Sequence, residues 1–343
     1  INAQLPAHHR MTTHTIADGA ARVVEVCATV APGETILLVT DDSSRPVADA
    51  VADAARAVTD EVLMTVMPPV RHNGNEPPAA VAAAMQHADV IFHITHRSIT
   101  HTQAAAAAKT PPTRWISLTK FTPEDLASPA IFADFARIRP HCDALAAAFT
   151  DATTARVTAP TGTDLTIDLG GCAGNSHPGI ADSPGSHTAL VHIEANVSPV
   201  ADGVHGTAVI DGAIPDLDIG RLERPIRLEI ADGRVTDIAG GEAADRIAAV
   251  WAEYDDPAVY QIAQLAVGMN PAVERFTDGF SENHARFGNV HLGIGTSIIL
   301  GGQTHTPVHF DAMMGSATLT LDGTPVVVDG AEFPQIPDAV WTG

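Results

Sequence analysis

The sequence predicts an α/β domain with a parallel sheet over residues 1–150, joined to an α+β, largely antiparallel domain over 151–343. Three observations predict it. Short apolar runs alternate with helix-spaced apolar residues in the first half. Asp-Gly hairpin signals punctuate the second half. A chain of 343 residues is long enough to bury two cores.

In order, Thr35-Ile-Leu-Leu-Val-Thr40 reads as a short buried strand. Ser44 reads as an N-cap, with Val47, Val51, Ala54, Ala55 and Val58 following at helical spacing. Glu61–Val66 is the second strand, Pro78–His87 a helix, and Asp89–Ile94 the third strand. Thr102–Lys109 is an alanine-rich helix and Arg114–Leu118 the fourth strand. Thr122-Pro-Glu-Asp predicts one more helix start, with Pro at the first position and acids in the first turn. Beyond residue 151 the period changes. Arg156–Ala159 and Leu165–Leu169 flank a Thr-Gly-Thr-Asp turn, Ile226–Ile230 and Arg234–Ile238 flank Asp232-Gly233, and Thr318–Leu321 and Val326–Val328 flank Asp322-Gly323. Glu242–Tyr254 is helical in pattern.

Hydrophobic residues make up 45% and charged residues 17%, the balance of a packed globular protein. The formal charge of −22 repels nucleic-acid phosphate and anionic membrane, so neither is expected as a partner. No apolar run reaches the roughly 20 residues of a membrane helix, and no basic start with an apolar core marks a signal peptide. Cys27, Cys142 and Cys172 are scattered and odd in number, which points to a cytoplasmic setting without disulfides. There is no G-x-G-x-x-G or G-x-x-x-x-G-K, hence no dinucleotide or P-loop site. The carboxyl ends of the predicted parallel strands carry Arg45, Arg97 and Lys120, each either an anchor for an anionic substrate group or an ordinary loop charge.

The 17 histidines cluster near 93–101, 187–192 and 284–309. The densest stretch runs from His291 through His305 to His309-Phe-Asp311, framed by glycines. In a strand, His309 and Asp311 share a face and can grip one metal ion. His291 completes a two-His, one-carboxylate set that leaves positions open on iron(II). His192-Ile-Glu194 is a second His-x-acid pair, read as lying on one strand face. Gln264 sits in an apolar strand or helix end, where its amide requires partners. His96, His177 and His284 read either as substrate contacts or as surface residues.

Val204-His-Gly-Thr-Ala-Val-Ile-Asp-Gly-Ala, Gln264-Leu-Ala-Val-Gly-Met-Asn-Pro, Gly288-Asn-Val-His-Leu-Gly-Ile-Gly and Thr306-Pro-Val-His-Phe-Asp carry a resemblance. Their order is similar to that in M29-type metalloaminopeptidases and the related 2,5-dihydroxypyridine 5,6-dioxygenases, over most of residues 151–343. In the peptidases the resemblance implies two metal ions, with ligands falling on Glu194, position 264, His291, His309 and Asp311. The peptidases have a glutamate where this chain has Gln264 and the dioxygenases a histidine, so neither pattern is kept, and a neutral amide is a poor substitute for a carboxylate bridging two dications. The first expectation is therefore a mononuclear iron(II) dioxygenase opening a hydroxylated heteroaromatic ring. His291, His309 and Asp311 would be its ligands, with Glu194, His192 and Gln264 as catalytic or orienting groups. The alternatives are an aminopeptidase or amide hydrolase using zinc, cobalt or manganese with Glu194 as ligand or base, and an inactive binding protein. The substrate is expected to be a small molecule, and the resemblance implies a homodimer.

Overall fold

The computed structural model describes residues 14–337, 340 and 341. The expectation about a signal peptide falls on residues 1–13, outside the described residues.

Helix α1 (Ile16–Arg22) opens with a Thr15–Asp18 capping box. Strands β1 (Ile36–Thr40), β2 (Val62–Val66), β3 (Val90–Ile94) and β4 (Arg114–Ser117) alternate with helices α2 (Arg45–Arg56), α3 (Ala79–Met85) and α4 (Gln103–Ala108). All five residues of β1 and of β3 are buried, as expected of central parallel strands covered on both faces. Val47, Val51 and Ala55 make the buried stripe of α2. Ser44 is the N-cap residue, but its side chain makes no capping bond. Asp41 Oδ1 instead accepts from the Ser44 N–H at 2.9 Å and holds the turn that leads into the helix.

The predicted helix at Thr122 is replaced by two 3-10 turns, Glu124–Ala127 and Pro129–Phe132, ahead of α5 (Phe135–Asp151). Pro129 has no N–H to donate, so an α-helix begun at Thr122 cannot continue through it.

The rest is strand-rich. A seven-stranded antiparallel sheet has the order β14-β13-β10-β6-β5-β18-β19. It is built from β5 (Thr154–Thr158), β6 (Asp164–Asp168), β10 (Val204–Ile210), β13 (Ile226–Ala231), β14 (Arg234–Ala239), β18 (Thr318–Leu321) and β19 (Thr324–Val327). Its hairpins turn at Asp232-Gly233 and Asp322-Gly323, whose residues all have positive φ, the backbone of a tight two-residue turn. A second antiparallel sheet, β17-β16-β15-β9-β7, comprises β7 (Gly174–His177), β9 (Glu194–Val197), β15 (Ile262–Gly268), β16 (Val290–Gly295) and β17 (His309–Met314). A small ribbon pairs β11 (Ala213–Ile214) with β12 (Gly220–Arg221). Helix α6 is Glu242–Trp251, and the short α7 is Ser281–Ala285.

The parallel sheet has the order β2-β1-β3-β4-β8, its last strand being β8 (His187–Ala189) from the second half of the chain. Leaving β8, the chain crosses within four residues to β9 of the second antiparallel sheet. This crossing sets Ser117, at the carboxyl end of β4, and Glu194, at the start of β9, on one cleft. Each fully buried Ile, Leu or Phe of the shared core contributes on the order of 1.5–3 kcal/mol, and that core runs from Phe92 and Ile116 to Val267 and Leu292.

Candidate active site

A cleft with an empty volume of ≈ 760 Å³ lies between the parallel sheet and the second antiparallel sheet. The antiparallel sheet supplies the acid and imidazole groups. Register brings residues far apart in sequence together, pairing Gly268 with Glu194, Gly293 with both Gln264 and Asp311, and Gly295 with His309. Gly293 is required for space. A Cβ there would stand 2.8 Å from Gln264 Cβ and 2.9 Å from His309 Cε1.

His309 and Asp311 lie on one face of β17, with Nε2 3.4 Å from Oδ1. His309 Nδ1 donates to Thr296 O at 2.9 Å, so Nε2 of the neutral ring presents a lone pair. His284, on α7, likewise donates from Nδ1 to Phe280 O at 3.0 Å and aims Nε2 at Asp311 Oδ2, 3.1 Å away. His284 is thus a buried partner of Asp311 rather than a surface residue. Burial opposes charge on both rings, but the Asp311 carboxylate raises both above the usual imidazole range. Burial also opposes charge on Asp311, yet His309 and His284 hold it well below the usual carboxylate range. Asp216 accepts from the Asp311 N–H at 3.0 Å and from the Asn73 amide. Burial, then the Asp311 charge, pushes Asp216 up to about 6.

Glu194 begins β9. Its Oε1 accepts from Asn196 Nδ2 at 2.9 Å and Gln264 Nε2 at 3.0 Å. Gln264 lies in the interior of β15, and its amide is spent on Glu194. Glu194 Oε2 has no hydrogen bond; His291 Nε2 is 3.5 Å away and His192 Nδ1 3.8 Å. Burial raises the Glu194 carboxyl to about 7 and lowers His291 to about 3. The Asn289 amide donates to His291 Nδ1 at 3.1 Å, so the neutral ring carries its proton on Nε2, facing Glu194.

The reading of His192 and Glu194 as one strand face is corrected. The strand starts at Glu194, and His192 lies in the crossing from β8, with its N–H bonded to Ala189 O at 2.8 Å. The pair still meets because the crossing folds back; His192 stacks on His284 at 4.5 Å between centroids.

The basic loop residues do not reach the cleft. Arg45 pairs with Asp49, while Arg97 and Lys120 both pair with Asp218, at 2.9 and 2.6 Å. His96 is partly exposed, 3.9 Å from the same carboxylate. His177 does line the cleft. Sequence reasoning missed Asp216 and the role of His101. The latter stacks on His309 at 4.0 Å with an interplanar angle of 10°; its place at the edge of the 93–101 histidine cluster was the available signal.

Among the described residues, no three His, Cys, Asp or Glu side chains stand, as placed, where they could hold a metal ion together. Instead, Glu194 Oε2, His291 Nε2, His309 Nε2 and Asp311 Oδ1 are buried and unpartnered in one cleft. Buried polar atoms without partners are costly, and a carboxylate–imidazole set of this kind fits a divalent transition metal.

The fold is of the kind shared by an M29-type aminopeptidase and a ring-cleaving dioxygenase. The family pattern of 2,5-dihydroxypyridine 5,6-dioxygenase (NicX) matches residues 16–333, and the chain belongs to that family. A 2,5-dihydroxypyridine 5,6-dioxygenase of Pseudomonas putida is 28% identical over 178 residues, covering 49% of this chain and 51% of that relative. The match thus spans about half the length of that relative. The solved 2,5-dihydroxypyridine dioxygenase of Pseudomonas putida KT2440 superposes with a TM-score of 0.80 at 21% identity, covering 93% of this chain and 97% of that one. AmpT of Thermus thermophilus, an M29 aminopeptidase, superposes with a TM-score of 0.66 at 14% identity, covering 93% and 98%. These two likenesses concern the fold.

Proposed function

We propose that this chain is a metal-dependent dioxygenase that opens a small hydroxylated pyridine-type ring, with iron(II) as its metal. The observation that carries the reading is the convergence of four buried, unpartnered donor atoms, from Glu194, His291, His309 and Asp311, in one cleft. Membership of the family supports the reaction class. His309 and Asp311 would hold the metal first, because the Thr296 carbonyl already orients His309 Nε2 as a lone pair. His291 and Glu194 would complete the set once the ring proton of His291 moves from Nε2 to Nδ1 and the Asn289 amide turns its unpartnered Oδ1 to accept it. The bound metal supplies a redox-active, Lewis-acidic centre at which an electron-rich ring and dioxygen meet.

The chain's own groups manage protons. With its carboxyl raised to about 7, Glu194 can hold or release a proton at Oε2 near neutrality. His192, kept neutral by burial, lies 3.8 Å from that atom and can orient it without taking up its proton. The Asn196 and Gln264 amides fix the other carboxylate oxygen, so Oε2 alone is free to react. The same amides favour one metal over two, because a second cation would need the oxygen they occupy.

A cytoplasmic location and a homodimer belong with this reading. In support of the dimer, the edge strand β2 exposes Leu63 by 56% and Val66 by 42%. Among the described residues, no helix is long and apolar enough to cross a membrane.

The test is elemental analysis of protein purified anaerobically without added metal, followed by oxygen uptake with hydroxylated pyridines. One iron per chain and ring-dependent oxygen consumption are expected. Peptide or amide turnover that is indifferent to oxygen, with two zinc, cobalt or manganese ions per chain, would overturn the proposal.

A further inference from the structure

The wall of the cleft facing the metal-donor residues is made of hydroxyl groups from the parallel sheet, and its hydrogen bonds have a definite direction. At its base is His93, fully buried on β3. The Thr95 hydroxyl donates to Arg97 O at 2.6 Å; a carbonyl only accepts, so the single Thr95 proton is committed. His93 Nε2, 2.5 Å from Thr95 Oγ1, must therefore be the donor there. The Ile99 N–H is farther from that nitrogen, at 3.4 Å, and does not alter the assignment. Burial holds His93 neutral, at about 3, so Nδ1 carries no proton and accepts from the Ser117 hydroxyl at 2.8 Å, the nearer of its two hydroxyl neighbours, Thr100 Oγ1 standing 3.4 Å away. With its proton spent, Ser117 Oγ has two lone pairs left. Thr100 and Thr119 stand 3.1 Å from it on either side, and each donates to it. Their remaining lone pairs belong to the cleft, which both residues line. Lys109 Nζ donates to Thr100 O at 3.0 Å and fixes that loop.

Thr188, on β8, gives an independent sign of a ligand. It lines the same cleft, is 1% exposed, and its hydroxyl has no partner. Charge points the same way. No Arg or Lys is among the described residues lining the cleft, whereas Glu194, Asp216 and Asp311 are.

We propose that Thr100 and Thr119, aligned by Ser117 and His93, form with the unpartnered Thr188 a substrate-reading subsite that accepts a hydrogen bond from an O–H or ring N–H of an uncharged hydroxylated ring and rejects rings bearing a carboxylate. This rests on the ring-cleaving reading above and names the substrate class within it. Thr100 and Thr119 set specificity by accepting from the ring; Ser117 and His93 are positioning residues that act through them.

The experiment is anaerobic calorimetric binding to the iron-loaded protein, with iron content measured in every sample. The ligands are 2,5-dihydroxypyridine, its O-methylated and N-methylated forms, which lose donors, and a hydroxypyridine carboxylate. Thr119→Val is expected to weaken binding of the parent ring about 5- to 10-fold, the worth of one hydrogen bond, with iron content unchanged. It should cost nothing further for a methylated ring that lacks the matching donor. Thr188→Val removes no internal bond, so it should fold normally and show a loss of the same order. The carboxylated ring should bind wild type more weakly than the parent. Equal affinity of wild type and both variants for the parent ring, equal losses for parent and methylated rings, or preference for the carboxylated ring would overturn the subsite while leaving the ring-cleaving reading standing. Failure of the iron-loaded wild type to bind any hydroxylated ring would overturn both.

Discussion

Replacing Gln264 by Glu changes one amide into a carboxyl at nearly constant volume, at a position where the amide now donates to Glu194 Oε1 across 3.0 Å. Two consequences can be sized for the metal-free protein. If both carboxylates stay charged at that distance, repulsion amounts to about 5 kcal/mol at an effective dielectric constant of ~20. If the new carboxyl instead keeps a proton at pH 8, holding it against an ordinary value near 4.5 costs about 1.4 kcal/mol per pH unit, again about 5 kcal/mol. The protonated form regains a hydrogen bond worth ~1–1.5 kcal/mol, so the expected loss at pH 8 is about 3–5 kcal/mol. At pH 5 the proton costs less than about 1 kcal/mol to hold, and the deficit nearly closes. The sign follows from linkage. The folded carboxyl pair titrates above its unfolded value, so stability is present at low pH and lost as pH rises through the folded value. Urea unfolding of chelator-treated Q264E and wild type at pH 5 and pH 8 measures this. Loading with divalent metal should relieve the repulsion and raise the stoichiometry of the variant above that of wild type. A Q264E protein as stable as wild type at pH 8 would refute the reasoning, since position 264 then could not face Glu194.

Glu194→Gln should flatten the pH dependence of metal-free stability. The wild-type carboxyl is raised by burial to about 7, so wild type should lose about 3 kcal/mol between pH 4.5 and 7 that the variant keeps; parallel unfolding slopes in that window would count against the assigned burial. His309→Ala should remove stoichiometric metal, whereas His291→Ala should weaken it less, because the Thr296 carbonyl presets His309 Nε2 while Asn289 directs the His291 proton toward the metal side. Competition with a chelator ranks the two, and the reverse order would contradict the tautomer assignment. Gly293→Ala should cost about 1–3 kcal/mol by overpacking and also lower metal affinity, since the added methyl meets Gln264 and His309. A thermal melt matching wild type would show that the cradle is looser than described.

Much of this protein is set locally and was legible in its sequence. Strand and helix periods, Asp-Gly turns and the shared face of His309 and Asp311 all arise from residues within a few positions of one another, where sterics and side-chain alternation suffice. A two-residue spacing fails only where the strand itself fails, as at His192, where the chain is crossing between sheets. The helix expected at Thr122 was lost for a similarly local reason, the proline at 129.

What only the tertiary structure decided depends on strand register and sheet packing between distant segments. Glu194 meets Gln264 across 70 positions, His284 meets Asp311 across 27, and Ser117 meets His93 across 24. Nothing in the local pattern distinguishes Gln264 from a satisfied core amide, or Lys120 from a substrate anchor, until Glu194 and Asp218 stand beside them. Chemical character is written residue by residue, but a site is a set of distances, and those are fixed by which buried faces pack together.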